Sequence, residues 1–269
     1  MNRALIVLLA AAVVASCGTA KKGGYFDDDG PPRRDRVDVA SIPDAIPREE
    51  PHSASGNSPY TVYGKVYYPL RAASDYRERG VASWYGKKFH GRRTSSGEPY
   101  DMYAMTAAHK TLPLPTYVRV RNLRNNRVVI VRVNDRGPFL RNRIIDLSYA
   151  AAAKLDIVRT GTGLVEVQAI DARQTASHTS ATSPQKSDAD PRPRLYLQVG
   201  AFTNWENAAN LRARLRDAQL GPIQISTEQK NDIRFYRVRI GPLQSVEESD
   251  RLAQRAAQHG LAEAHVVVE

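Results

Sequence analysis

Three side chains capable of acid–base chemistry lie in polar, glycine-containing segments of one region. Glu98 lies in FHGRRTSSGEPYD, His109 in TAAHKTLP and Asp135 in NDRGPF. Asp135 directly follows an alternating apolar run, so a rigid core strand would hold its carboxyl group in place. A carboxyl group that burial or a neighbouring carboxylate keeps protonated can donate a proton and then take one back. These residue types therefore favour general acid–base catalysis, with Asp135 as the leading candidate.

Each of the three residues also has a structural interpretation. An aspartate before Gly-Pro, such as Asp135, is ordinary turn chemistry and would pair with Arg136. A glutamate in a Ser-Gly loop, such as Glu98, is commonly solvated. A single histidine such as His109 commonly satisfies a hydrogen bond of the fold. The residue types alone leave both interpretations open.

Short strands must position these loops. Between residues 59 and 171, Tyr117–Leu123 and Val128–Val133 alternate apolar and polar residues around the turn residues RNN, which predicts a hairpin. The segment RIIDLSYAAAAKL predicts one short helix that Asp146 or Ser148 would cap, and LVEVQAI predicts a last strand. Several short strands joined by long polar loops predict a small closed β-barrel.

A second folded region covers residues 194–269 and contains an internal repeat. GAFTNWENAANL, from Gly200, aligns with GPLQSVEESDRL, from Gly241, and each copy predicts strand, loop, helix and strand. The second helix opens with a capping box from Ser245 to Glu248. This order predicts an α+β, ferredoxin-like domain with both helices on one side of its sheet. The other face of the sheet is then available for a ligand.

The remaining segments have the composition of leaders and linkers. Residues 1–16 form a secretory signal peptide, while residues 17–58 and 172–193 predict a disordered tether and a linker because they lack an apolar period. The only cysteine, Cys17, ends the stretch VASC, which resembles a bacterial lipobox and implies cleavage before Cys17 and lipidation there. Gly18 in place of aspartate implies, by the same resemblance, an anchor in the outer membrane that faces the periplasm.

Charge and composition exclude several classes of protein. The chain has a formal net charge of +11, and residues 80–171 contain fifteen Lys and Arg against seven Asp and Glu. A basic surface often binds nucleic acid, but export argues against it, so we expect an acidic partner outside the cytoplasm; a basic surface that only aids solubility is the alternative. The sequence has no metal-ligand spacing, no GxSxG motif and no glycine loop for phosphate. We therefore predict no metal and no cofactor.

Several separated blocks carry a family resemblance. GVASWYGKKFHGRRTSSGEPYDMYAMTAAHKTLPLPTYVRVRNL and VVIVRVNDRGPFLRNRIIDLSYAAAAKL resemble rare lipoprotein A, a septal lytic transglycosylase with an all-β double-psi β-barrel. LQVGAF, the capped helix and VRIGPL resemble a SPOR domain, which implies binding to peptidoglycan glycan without stem peptides. The resemblance implies cleavage between N-acetylmuramic acid (MurNAc) and N-acetylglucosamine (GlcNAc) with formation of 1,6-anhydro ends. It also implies a role at the division septum in daughter-cell separation, with divisome proteins as partners.

The implied chemistry assigns roles to the candidate residues. Protonation of the glycosidic oxygen requires an acid, and the oxocarbenium-like centre requires nearby negative charge. Asp135 would be the acid and base, Glu98 would tune its pKa or stabilise the cation, and His109 would position a carboxylate or the substrate. Related polysaccharide-acting barrels have an essential aspartate before a similar helix, so Asp146 is the alternative acid.

Binding residues are predicted in both domains. Trp84 and Tyr85 would stack on sugar rings or belong to the core, and strand alternation leaves the same choice open for four candidates of the second domain. These four are Gln198, Phe202, Tyr236 and Arg239.

Two other functions remain open at this point. One is a glycan hydrolase that uses Asp135 with Asp146 or Glu98 as an inverting pair, for which the carboxyl separation would be about 6.5–9.5 Å. The other is a septal lipoprotein that binds glycan without cleaving it, because a fold does not guarantee activity.

Overall fold

The computed structural model describes residues 29–32, 37–172, 193–261 and 263–269. The predicted signal peptide, the lipidation site Cys17 and most of the linker 172–193 lie outside the described residues. Within the described ranges, no helix has the length and apolar composition needed to span a membrane.

The first domain is a closed β-barrel preceded by a short hairpin. The hairpin strands are β1 (Tyr60–Val62) and β2 (Lys65–Tyr67). The barrel strands are β3 (Arg77–Tyr85), β4 (Thr106–His109), β5 (Thr116–Asn122), β6 (Val128–Asp135), β7 (Ile145–Ser148) and β8 (Gly163–Ala169). Their order around the barrel is β3-β7-β4-β6-β5-β8. The predicted closed barrel is thus confirmed.

Local sequence explains the pairing of two of these strands. Strands β5 and β6 form the predicted antiparallel hairpin, in which Val118 pairs with Val131 and Val120 with Val129. These four valines are buried in the barrel core, as the alternation predicts. Two of the remaining pairs are parallel, β3 with β7 and β4 with β6. The antiparallel pairs β4 with β7, β3 with β8 and β5 with β8 complete the barrel.

The helix α1 (Tyr149–Lys154) follows β7 directly. Its N-cap is Ser148, whose Oγ accepts a hydrogen bond from Ala151 N at 3.2 Å. A serine before an alanine run is a favourable helix start. Asp146 therefore does not cap the helix, and its side chain is available for another role.

The second domain has the predicted ferredoxin-like topology. Its elements are β9 (Leu195–Phe202), α2 (Trp205–Asp217), β10 (Ile223–Lys230), β11 (Ile233–Leu243), α3 (Val246–Gln258) and β12 (His265–Val268). The sheet order is β10-β11-β9-β12, with antiparallel neighbours throughout. Both helices bury their apolar stripes against one face of this sheet, through residues such as Leu211, Leu215 and Leu252.

The predicted tether is wrong for residues 37–58, because this segment packs along the barrel. Ala45 N donates to Ile130 O at 3.0 Å, and Asn57 Oδ1 accepts from Leu114 N at 2.8 Å. Glu50 accepts hydrogen bonds from Arg132. The composition suggested solvated charges, but these polar side chains bind backbone and arginine groups of the barrel, which sequence composition cannot reveal.

Candidate active site

Four residues form a row across neighbouring strands at one end of the barrel. Ser83 on β3 is paired with Asp146 on β7, Asp146 with Ala108 on β4, and Ala108 with Asp135 on β6. We call Ser83, Asp146, Ala108 and Asp135 the carboxylate row. Strand spacing puts the Cα atoms of its two aspartates about 10 Å apart. Two aspartates from different strands thus lie in one row across the barrel.

The carboxyl group of Asp146 has a raised pKa. The hydroxyl of Ser83 donates to its Oδ1. Burial raises the pKa of Asp146 to about 6, against the opposing effects of the Ser83 hydrogen bond and of Arg143 and Lys110; the charge of Asp135 also raises it. A carboxyl group with a pKa near neutrality can carry a proton and release it, which is the requirement for a general acid and base.

Asp135 is held by its own loop and by the loop before β4. Its Oδ1 accepts hydrogen bonds from Ser95 N, Ser95 Oγ and Arg136 N, each at 2.7 Å. Among the described residues, no donor contacts its Oδ2. The carboxyl group is therefore fixed in orientation through Oδ1, which leaves Oδ2 for another contact. The guanidinium of Arg136 binds the carbonyl oxygens of Gly56, His109 and Leu112 instead of Asp135, so the predicted Asp135–Arg136 ion pair does not form.

Small residues keep the space next to the row open. Gly137 has a φ of +140°, a conformation that favours glycine. A Cβ atom at this position would lie 3.9 Å from Asp146 Oδ2 and 3.8 Å from the Cβ of Ala108. A larger side chain at either position would occupy the approach to Asp146. The NDRGPF motif therefore supplies both an aspartate and room beside a second one.

Two basic residues lie near Asp146. Lys110 donates from its Nζ to the carbonyl oxygen of Arg143, and burial lowers the pKa of Lys110. The positive charges of Lys110 and Arg143 lower the pKa of Asp146. These groups supply positive charge next to the row, where an anionic ligand would bind.

Glu98 lies beside the row, on the outer side of β6, and does not touch either aspartate. Its carboxylate accepts hydrogen bonds from Arg132 at 2.8 and 2.9 Å and from Asn134 at 2.9 Å. Arg132 also binds Glu50. Glu98 is thus paired with an arginine and an asparagine, and it does not contact Asp135, the residue that the sequence predicted as its partner.

His109 is buried and neutral. Its Nδ1 accepts hydrogen bonds from the backbone amides of Thr111 and Leu112, so its Nε2 carries the proton toward Tyr76 Oη at 2.8 Å. Burial, with the charges of Lys110 and Arg136, lowers its pKa to about 3. The ring contacts neither aspartate, and it instead fixes the loop that begins with Lys110.

The predicted stacking residues Trp84 and Tyr85 belong to the core. Trp84 is 4% exposed and packs near the ring of Tyr149. Tyr85 stacks on Tyr100 with ring centroids 4.1 Å apart. The sequence left open whether these rings stack on sugars or belong to the core. The structure supports the core position, because both side chains are buried in the apolar cluster of the barrel.

Sequence reasoning missed an aromatic group at the edge of the row. Tyr60 stacks on Tyr67, with ring centroids 5.2 Å apart, and Phe139 contacts both rings edge-on. Tyr60 Oη donates to the carbonyl oxygen of Lys110 at 2.8 Å. The signal was the aromatic-rich YTVYGKVYYP stretch just before the barrel, which forms the β1–β2 hairpin.

In the second domain, the four predicted contact residues divide between the two faces of the sheet. Gln198 and Arg239 are paired on the helix-free face, and Arg239 Nε donates to Gln198 Oε1 at 3.3 Å. Phe202 and Tyr236 pack against the apolar core on the helix side. Phe202 and Tyr236 are therefore wrong as residues of the open face. Strand alternation puts Tyr236 and Arg239 on opposite faces, and the register shift opposite Val238 and Arg239 separates Phe202 from Gln198.

Within the described residues, no group of three or more His, Cys, Asp or Glu side chains is arranged to hold a metal ion. A polar cavity of about 790 Å³, lined by residues such as Arg48, Arg71 and Gln168, contains no member of the carboxylate row.

Comparison with known proteins agrees with the division into two domains. Residues 77–168 match the family model described as "Lytic transglycolase", and residues 191–267 match the SPOR domain model. The endolytic peptidoglycan transglycosylase RlpA of Pseudomonas aeruginosa strain UCBPP-PA14 is 45% identical over 264 residues, which cover 80% of this chain and 77% of that protein. The RlpA of Vibrio cholerae is 38% identical over 230 residues, covering 86% and 84%.

One solved structure is similar to the second domain. The crystal structure of the RlpA SPOR domain from Pseudomonas aeruginosa is 37% identical, with a TM-score of 0.26, and covers 27% of this chain and 96% of that one.

The barrel with its carboxylate row is a lytic transglycosylase domain of the double-psi type, joined to a SPOR domain. The chain belongs to the RlpA family.

Proposed function

We propose that this lytic transglycosylase cleaves the MurNAc–GlcNAc bond of peptidoglycan and forms 1,6-anhydro-MurNAc ends, with Asp146 as its general acid and base. The observation that carries the assignment is the position of Asp146 in the carboxylate row, with a pKa raised to about 6. This role goes to Asp146 and not to Asp135, which sequence analysis favoured.

The reaction needs two proton transfers at one carboxyl group. Asp146 donates its proton to the glycosidic oxygen as the bond between that oxygen and C1 of MurNAc breaks. The O6 hydroxyl of the same sugar then forms a bond to C1 and gives its proton to the Asp146 carboxylate. The acid is thereby regenerated and no water is consumed. Asp135, with one oxygen beside the row, stabilises the positive charge that develops at C1.

Neighbouring residues support these two aspartates. Ser83 orients Asp146 through its hydroxyl, and Ser95 orients Asp135. Glu98 keeps Arg132 and Asn134 in place beside β6, and His109 fixes the loop of Lys110.

The substrate is a glycan strand without stem peptides. The lactyl group of each MurNAc in such a strand is a free carboxylate, so the strand is polyanionic, and the basic barrel attracts it. Lys110 supplies positive charge at the row itself. The aromatic group of Tyr60, Tyr67 and Phe139 offers apolar ring faces next to it.

The second domain binds the same glycan and recruits the enzyme to the division septum. The helix-free face with Gln198 and Arg239 is the binding surface. Lipidation at Cys17 anchors the protein to the outer membrane on its periplasmic side, and divisome proteins are its partners during daughter-cell separation.

The test is the mass of the products formed from purified peptide-free glycan strands. The enzyme would be a soluble chain that begins at Gly18, because residues 37–58 pack on the barrel. We expect 1,6-anhydro ends with the wild-type chain and none with Asp146→Asn. Reducing ends would identify a hydrolase, and full activity of Asp146→Asn would overturn the assignment of the acid. Unchanged binding and rate at high salt would exclude electrostatic selection of the strand.

A further inference from the structure

The two domains are joined by a partly buried ion pair close to the carboxylate row. Arg143, which precedes β7 and is 5% exposed, donates to Asp250 of α3 from Nη2 at 2.6 Å and from Nη1 at 3.3 Å. Asn142 Nδ2 also lies 3.4 Å from Asp250 Oδ1. Because both amino groups of the guanidinium bind one carboxylate, the position of Arg143 is well defined.

Apolar contacts hold the domains together around this pair. Val81 on β3, Leu123 after β5 and Leu164 on β8 belong to the same apolar cluster as Leu195 and Val246 of the second domain. Val81 O accepts a hydrogen bond from Ile144 N at 2.9 Å. The interface therefore also fixes the backbone between Arg143 and β7.

The route from Asp250 to the row is short. The charge of Arg143 acts on Asp146, three residues further along the chain. The carbonyl oxygen of Arg143 also accepts a hydrogen bond from Lys110, the second cation beside Asp146. Both positive charges near Asp146 are thus positioned by the segment that Asp250 binds.

We propose that Asp250, in the second domain, is a positioning residue for Asp146 and acts by holding and neutralising the guanidinium of Arg143. The inference rests on the proposed role of Asp146 as the acid. It means that docking of the glycan-binding domain sets the proton-donating strength of the catalytic domain.

The direction of the effect follows from the charges around Asp146. Without the Asp250 carboxylate, the charge of Arg143 is uncompensated and favours ionised Asp146, so the pKa of Asp146 falls. Without Arg143, that pKa rises. The ionisable and charged groups that act on Asp146 from the surrounding elements, besides Arg143, are Lys110, Asp135, Tyr85 and Tyr100.

The test measures kcat/KM for peptide-free glycan strands against pH in the chain from Gly18. Activity falls with rising pH as the acid loses its proton. In Asp250→Asn we expect this fall to move to lower pH by about half a unit, a roughly threefold loss of activity at pH 7.5. In Arg143→Met it moves to higher pH. In the double variant we expect the fall in activity at the same pH as in Arg143→Met, because Asp250 acts through the arginine.

Asp232→Asn is the matched control, since it makes the same charge change in an exposed turn of the second domain, and it should keep the wild-type profile. A wild-type profile for Asp250→Asn, or an equal shift for Asp232→Asn, would overturn the inference. In Asp250→Glu, which retains the charge, the fall in kcat/KM should lie close to its wild-type pH. An active Asp146→Asn would instead reject the proposed function, so the two failures are distinguishable.

Discussion

Two carboxyl groups of the same barrel, those of Glu166 and Asp146, have pKa values shifted in opposite directions. On the outer surface, Glu166 accepts hydrogen bonds from Arg77 at 2.8 Å and Arg79 at 2.9 Å, with Arg121 close by. These arginines outweigh the effect of burial and lower the pKa of Glu166 to about 2. At the end of the barrel, Asp146 has one hydroxyl donor and more distant cations, and burial raises its pKa to about 6.

The difference shows how one type of side chain serves two purposes. Arginine forks stabilise a permanently ionised carboxylate, which then contributes to the fold. A carboxyl group that is buried without a direct cation partner destabilises its charged form and gains a proton near neutral pH. The second arrangement costs stability and supplies chemistry, as is common at active sites.

The largest expected effect is a loss of activity on substitution of Asp146 but not of Glu166. Asp146→Asn should lower kcat by roughly 10²–10⁴-fold, because it removes the general acid. Glu166→Gln, a matched change on the outer surface, should keep activity within about threefold at pH 7, where the fold remains intact. Initial rates of anhydro-product formation provide the measurement. Equal losses in the two variants would mean that the barrel as a whole, and not Asp146, limits the reaction.

The next effect concerns the partner carboxylate in the row. Asp135→Asn should lower kcat by roughly 10²-fold, because charge stabilisation at C1 is lost. The charge of Asp135 raises the pKa of Asp146, so the fall in activity should also move to lower pH. A pH–rate profile of the variant checks both effects. A shift to higher pH would contradict the arrangement of the row.

A moderate effect on stability is expected at the outer surface. Glu166→Gln should lower the free energy of unfolding by about 1–3 kcal/mol at pH 7, because its arginines lose a charged partner. The folded pKa lies below the usual value near 4.5, so this stabilisation is present above pH 4.5 and is lost as the pH falls toward 2. Urea titrations at pH 7 and pH 3.5 measure it. An equal deficit at both values would exclude the ionic origin.

The smallest expected effect is a gain in stability at the row. Asp146→Asn should raise the free energy of unfolding by about 1 kcal/mol at pH 7.5, since a poorly solvated charge is removed. The folded pKa lies above the usual 3.8, so the wild-type chain loses stability as the pH rises from 3.8 to 6 and the difference should disappear at lower pH. Thermal melting at pH 7.5 and 4 compares the two chains.

The sequence predicted the elements better than the site. Periodicity and turn residues were enough for the β5–β6 hairpin and for the ferredoxin-like second domain, because both depend on neighbouring segments. The register that aligns Asp146 with Asp135 through Ala108 depends on strand pairings far apart in the chain. No local pattern contains that information.

The second limit of sequence reasoning concerned the hydrogen-bond partners of polar side chains. Loop composition alone gave no means of predicting that Glu98 binds Arg132 or that His109 Nδ1 accepts two backbone amides. The same holds for residues 37–58, whose polar composition resembles a linker although Asn57 binds Leu114. In each case a tertiary hydrogen bond determined the environment.

The most direct test of the account is the titration of the Asp146 carboxyl group, followed by NMR in the chain from Gly18 with Asp146→Asn used for assignment. We predict a midpoint near pH 6 that falls in Asp135→Asn and is unchanged in Glu166→Gln. A midpoint near 4, the ordinary range for aspartate, would contradict the central claim that burial at the carboxylate row makes Asp146 the acid.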